Sequence, residues 1–164
     1  FIQGSVNALA WSRGGTALAT GSSDQSVKVV DVVKKELIYS FDEDEYQNIN
    51  LLDYALGPVT SLAWSNDGKY LASGSEDCSV RIYDYTKKTL FALLDFHKGN
   101  LDKSFGSHLA PLDHILSLSW SPDSSTLVTG SKDCNMNIYD VKQKALVTTI
   151  YGGHESKTRI AQSN

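Results

Sequence analysis

A pattern of 26 residues occurs three times in this chain, and the copies align without a gap. They read VNALAWSRGGTALATGSSDQSVKVVD from Val6, VTSLAWSNDGKYLASGSEDCSVRIYD from Val59, and ILSLSWSPDSSTLVTGSKDCNMNIYD from Ile115. Trp11, Trp64 and Trp120 are equivalent, as are Asp24, Asp77 and Asp133. The starts lie 53 and then 56 residues apart, so the chain is a repeat array whose units each bury their apolar faces against a neighbour.

Each copy predicts three short strands. The first, V-x-S-L-A-W in the second copy, is a nearly continuous apolar run, as expected of an inner strand covered on both faces. The turn after it (SRGG, SNDG or SPDS) uses Gly, Asn-Asp or Pro122, residues that supply positive φ or pre-set φ at a turn's second position. The second strand ends on Gly and leads into a polar turn centred on Asp24, Asp77 or Asp133. The third alternates. Val27 and Val29, Val80 and Ile82, Met136 and Ile138 point one way, and Lys28, Arg81 and Asn137 point the other. A fourth strand follows a lysine-rich turn, at Leu37–Phe41, Leu90–Leu94 and Ala145–Ile150. Four antiparallel strands per repeat, with no helical periodicity, predict an all-β chain of β-propeller blades, over about 6–41, 59–96 and 115–151, with a further repeat starting at 152–164.

The segment LASGSEDCSVRIYD resembles the WD-repeat family, whose pattern runs L-A-S-G-S-x-D-x-S-V-x-I-W-D. Tyr83 and Tyr139 stand where that family has Trp, and Val30 stands there in the first copy. Gly152–Glu155 is similar to the family's Gly-His dipeptide, whereas Leu56-Gly57-Pro58 and Leu112-Asp113-His114 occupy that place earlier. The resemblance implies a propeller fold and a non-catalytic scaffold that binds other proteins. It also implies that the family's buried Asp-His-Ser/Thr-Trp network is incomplete here.

A ring takes roughly 4 to 8 blades, more than three copies provide. One expectation is therefore a piece of a longer propeller chain forming one domain over 1–164; the alternative is self-association of arcs, because an uncovered blade face and edge invite pairing. Net charge of −4 exerts no global pull on nucleic acid. No apolar run approaches the roughly 18 residues of a spanning helix, so no membrane insertion is expected. Cys78 and Cys134 occupy equivalent places in neighbouring blades, too far apart for a disulfide, and free thiols predict an intracellular protein, cytoplasmic or nuclear.

Two connectors, 42–58 and 97–114, exceed ordinary loop lengths, and long loops on a rigid scaffold are where function concentrates. In a four-strand meander they emerge beside the Asp24, Asp77 and Asp133 turns, and the lysine turns emerge at the opposite end. The first connector carries Asp42, Glu43, Asp44, Glu45 and Asp53 without Lys or Arg, followed by Tyr46 and Tyr54. We expect Asp42, Glu43, Asp44, Glu45, Tyr46 and Tyr54 to bind partners, other proteins with basic segments, with the aromatics as apolar anchors.

Catalysis finds no support in the sequence. Asp24, Asp77 and Asp133 recur in every copy, as residues that cap a turn do and catalytic carboxylates do not. His97, His108 and His114 match no zinc-ligand spacing. There is no G-x-S-x-G, G-x-G-x-x-G, P-loop or H-E-x-x-H, so the expectation is no enzyme, no cofactor, no metal and no small-molecule substrate. The alternative to a protein scaffold is an RNA- or chromatin-associated propeller. The lysine turns favour that reading and the acidic end opposes it.

Overall fold

The computed structural model describes residues 4–41, 57–94 and 113–152. They form three four-stranded antiparallel sheets and, among the described residues, no helix. The first blade is β1 (Val6–Trp11), β2 (Ala17–Ser22), β3 (Val27–Asp31) and β4 (Glu36–Phe41). The second is β5 (Val59–Trp64), β6 (Tyr70–Ser75), β7 (Val80–Asp84) and β8 (Thr89–Leu94). The third is β9 (Ile115–Trp120), β10 (Thr126–Ser131), β11 (Asn135–Asp140) and β12 (Ala145–Tyr151). Each sheet runs in simple meander order. Each also carries register shifts at equivalent places, beside the start of its first strand and between Val29/Val30, Ile82/Tyr83 and Ile138/Tyr139, which add twist to the blade.

The first strands of successive blades approach one another, β1 to β5 and β5 to β9, so they form the inner edge of an arc. One face of each blade then packs on the opposite face of the next. Between blades 1 and 2 the buried set is Ala17, Ala19, Val27, Val29 and Phe41 against Val59, Leu71 and Tyr83. Between blades 2 and 3 it is Ala72, Val80, Ile82, Ala92 and Leu94 against Ile115, Trp120, Leu127 and Tyr139. Phe41 stacks on Tyr83 at 4.3 Å between ring centres, worth about 0.5–1.5 kcal/mol beyond its area. The glycine that closes the second strand makes room for the neighbour: a Cβ at Gly21 would collide with Val59 Cγ1, and one at Gly74 would collide with Ile115 Cγ2.

The equivalent tryptophans lock these seams. Trp64 Nε1 donates to the Ala10 carbonyl of the preceding blade at 3.0 Å, and Trp120 Nε1 donates to the Ala63 carbonyl at 3.0 Å. Polar side chains reach the other way. Asn7 Nδ2 donates to the Val59 carbonyl at 3.2 Å, and Thr60 Oγ1 donates to the Ile115 carbonyl. In the turns below, Arg13 Nη1 donates to the Asn66 carbonyl at 2.8 Å, and Asn66 Nδ2 donates to the Ser121 carbonyl at 3.1 Å.

One detail departs from the sequence reading. The first strands are less uniformly buried than their apolar composition implies: Ser117 and Ser119 are exposed in β9, and most of β1 is open because no described blade precedes it. Gly4 lies beside the Asp24 turn of the first blade, where its N–H donates to Asp24 Oδ2 at 3.2 Å. Trp64→Phe removes a seam donor and strands the Ala10 carbonyl. It is expected to cost about 1–3 kcal/mol in denaturant unfolding, whereas the half-exposed Trp11 tolerates the same change with little loss.

Candidate functional site at the two ends of the blades

At one end lie the three turns 22–26, 75–79 and 131–135, and both connectors begin and finish beside them. Phe41 and Leu94, where the chain leaves β4 and β8, sit opposite Val27 and Val80 in the ladder. Pro58 and His114, where the chain returns, accept through their carbonyls from the Glu76 and Lys132 N–H groups, each at 3.0 Å. The connector stretches carrying Asp42, Glu43, Asp44, Glu45, Tyr46, Asp53 and Tyr54, and His97 and His108 in the second connector, lie outside the described residues.

Each turn is built around its Asp. Asp24 Oδ1 accepts from the Ser26 N–H at 3.1 Å and the Ser26 hydroxyl at 2.6 Å. Asp77 Oδ1 accepts from the Ser79 N–H at 3.0 Å and its hydroxyl at 2.8 Å. Asp133 Oδ1 accepts from the Asn135 N–H at 3.0 Å and from the Ser131 hydroxyl. The carboxylate thus holds the turn open for the next residue to adopt a left-handed conformation, and Gln25, Cys78 and Cys134 have φ of 73°, 72° and 66°. Asp77 differs from its equivalents in its second oxygen. Oδ2 is buried without a hydrogen-bond partner and lies 3.8 Å from Arg81 Nη2. Charge at this end is partly compensated, by Arg81 beside Asp77 and by Lys132 Nζ 4.0 Å from Asp113 Oδ1.

The opposite end carries the lysine turns, and its acids are spent on the backbone. Asp31 Oδ1 accepts from the Val33 and Lys34 N–H groups at 3.0 and 2.9 Å. Asp84 Oδ1 accepts from Thr86 and Lys87, and Asp140 Oδ1 from the Gln143 N–H at 2.7 Å. Burial pushes the Asp84 carboxyl up, but the Thr86 hydroxyl, the Lys87 N–H and the Lys87 and Lys69 charges outweigh it and hold the group below its ordinary value. Asp123, exposed in the third first-strand turn, is held at about 2 by hydrogen bonds from Ser121 and Ser125.

Sequence reasoning missed what the second lysine of each turn does. Lys35, Lys88 and Lys144 have φ of 61°, 57° and 54°, a conformation glycine adopts more cheaply. Lys88 Nζ lies 5.2 Å from the Tyr39 ring centre, and Lys144 Nζ lies 4.2 Å from the Phe91 ring centre and donates to the Phe91 carbonyl at 2.6 Å. Two lysines are therefore struts between blades rather than free surface charges. The recurrence of Lys at one position of each copy is the signal that could have found them. Among the described residues no group of three or more His, Cys, Asp or Glu side chains is arranged to hold a metal ion.

Successive four-stranded meanders, joined at their inner strands and packed face on face, define a partial β-propeller. The chain belongs to the WD-repeat family: the model for the WD domain, G-beta repeat, matches residues 52–84 and 99–140, and that for the anaphase-promoting complex subunit 4 WD40 domain matches residues 2–57. It is similar to Protein HIRA of Zea mays, 29% identical over 136 residues, covering 78% of this chain and 14% of the relative. Protein HIR1 of Cryptococcus neoformans is 30% identical over 152 residues, covering 90% of this chain and 16% of the relative. A subunit of chromatin assembly factor 1 from Gallus gallus is 25% identical over 155 residues, covering 88% and 25%. The chain thus spans a quarter or less of each of these relatives.

Asp77→Ala removes the turn's anchor and is expected to cost about 1 kcal/mol in thermal or chemical unfolding, with no change in partner binding. Asp123 has a folded value of about 2 against an ordinary 3.8, so its contribution is present above 3.8 and is lost as pH falls toward 2. Melting curves of Asp123→Asn are therefore expected to shift less across that acid window than those of the parent.

Proposed function

We propose that this chain is a non-catalytic interaction subunit of a multiprotein complex, a rigid set of blades that presents connectors to other proteins. The observation that carries this reading is the gathering of both connector boundaries and all three Asp turns at one end of interlocked sheets. A surface held by hydrogen bonds between blades meets a partner with little ordering cost of its own. Carboxylates at that end are committed to backbone N–H groups, a structural use that leaves the chemistry of binding to the connectors. The partner-binding residues are Asp42, Glu43, Asp44, Glu45, Tyr46 and Tyr54, and the partner presents basic segments. Asp24, Asp77 and Asp133 hold the frame.

Chromatin association is the second reading, favoured by the similarity to a relative named as part of a chromatin assembly factor. A basic protein partner in the nucleus would satisfy both readings, because acidic residues suit a cationic polypeptide better than a phosphate backbone. A cytoplasmic or nuclear location accords with two cysteines that form no disulfide.

Replacing Asp42, Glu43, Asp44 and Glu45 together with Ser and Asn, and separately Tyr46 with Ala, is expected to leave folding intact. The first change should abolish salt-sensitive binding to a basic partner, and the second should weaken binding about tenfold or more. Retention of every co-purifying protein by both variants, or loss only when Lys34 and Lys87 are changed, would move the working surface to the lysine end.

A further inference from the structure

The lysine end of the blades turns its positive charge outward and much of its negative charge inward. The turns after the first strands and the lysine turns lie side by side there: the N–H groups of Val32, Tyr85 and Val141 donate to the carbonyls of Thr16, Lys69 and Ser125 at 3.0, 2.9 and 3.0 Å. Lys34, Lys69, Lys87, Lys88, Lys142 and Lys144 are exposed, and so is Arg13. The acids that end the third strands are not: Asp31 and Asp140 are half-buried, and Asp84 is 2% exposed. Blade 2 has a described blade on either side, yet its Lys87 side chain is 73% exposed, so this polarity does not depend on where the described blades stop. Asp84 is satisfied beneath the surface by Thr86 and Lys87, and an incoming group meets the ammonium rather than the carboxylate. Among the described residues the exposed acids of this end are Glu36, Asp67 and Asp123, and the last two accept hydrogen bonds from their own turns.

We propose that this end is a second interaction surface, separate from the connectors, and that its partner is an acidic protein segment carrying apolar side chains. Charge complementarity selects the acid. The cations stand turn by turn, blade after blade, rather than in one block, an arrangement that suits carboxylates strung along an extended chain. Lys88 and Lys144 are already drawn to the rings of Tyr39 and Phe91, and Arg13 donates to the Asn66 carbonyl at 2.8 Å. The ammonium groups left for a partner are therefore chiefly Lys34, Lys87 and Lys142.

A polypeptide is favoured over nucleic acid by the tip of the blade 1 turn. Val33 is 78% exposed, and its equivalents in the other copies are the polar Thr86 and Lys142. All three tips face water, so Val33 is not a position that a neighbouring blade covers. A phosphate backbone, which is held by polar and cationic groups, gains nothing from a bare isopropyl group. An apolar side chain beside a carboxylate does gain, because a protein interface sets apolar contact inside a polar rim. The net charge of −4 also works against a polyanion as long as a nucleic acid strand, whereas a short acidic segment answers only to the local field.

Fluorescence anisotropy with three labelled probes tests this: a peptide of Glu with interspersed Leu, a Glu/Ser peptide of the same length and charge, and oligouridine. The Glu/Leu peptide is expected to bind the protein, and to bind more weakly as salt is raised. Replacing Lys34, Lys87 and Lys142 together with Gln is expected to weaken that binding about tenfold or more, with unchanged circular dichroism, and replacing them with Arg is expected to preserve it. Val33→Ser is expected to erase the preference for Glu/Leu over Glu/Ser while leaving the salt dependence in place. The connector variants at Asp42, Glu43, Asp44 and Glu45 are expected to retain binding of the acidic peptide, so this surface and the connectors succeed or fail separately. No binding of the Glu/Leu peptide, binding indifferent to the Gln substitutions, or a preference that survives Val33→Ser would overturn the proposal. Oligouridine bound more tightly than either peptide would overturn it in favour of nucleic acid.

Discussion

A four-stranded blade of this composition cannot bury both its faces alone, and the fold depends on how one blade grips the next. The grip is a hydrogen bond from an indole N–H to a carbonyl one blade back, set in an apolar seam. Trp64 and Trp120 place it at equivalent points, next to the strand ends of β5 and β9. A net bond of about 1 kcal/mol is small against the apolar burial around it. Its importance is positional. It fixes how far the inner strands slide past each other, and so decides whether Val59 and Ile115 fall over Gly21 and Gly74 or clash with their neighbours.

From that register the ends of the blades follow. With the strands fixed, the hairpins must close in tight loops, and the turn after each second strand places a residue in the left-handed region beside a carboxylate that accepts from the backbone. Among the described residues, Asp24, Asp31, Asp77, Asp84, Asp133 and Asp140 are therefore structural. Net charge is a poor guide to this part of the surface, because these carboxylates are committed to turns while the lysines at the far end are partly drawn into aromatic contacts across seams.

Much of this was legible in the sequence because a period of two and a gapless repeat leave few alternatives. The strand order, the end at which the connectors emerge and the alternation of Val80, Arg81 and Ile82 all follow from it. What was not legible is whatever differs between copies. Asn7, Thr60 and Leu116 share one position yet have no common chemistry, so nothing in the pattern marks them as facing the next blade. Lys88 and Lys144 read only as members of lysine-rich turns, because beyond its recurrence a lysine carries no signature of a left-handed conformation or of contact with the preceding blade. The residues proposed to bind partners, Asp42, Glu43, Asp44, Glu45, Tyr46 and Tyr54, were read from composition alone, and they fall outside the described residues.

The cysteines illustrate how a repeat can give one residue two behaviours. Cys78 and Cys134 have the same place in their turns and nearly the same backbone angle, yet Cys78 is buried and Cys134 is exposed. A thiol-directed fluorophore would therefore attach to Cys134 in the native fold and reach Cys78 only when the second blade opens. The chain carries its own reporter pair: one thiol to carry a dye at the connector end, and one whose slow modification measures how often a blade comes apart.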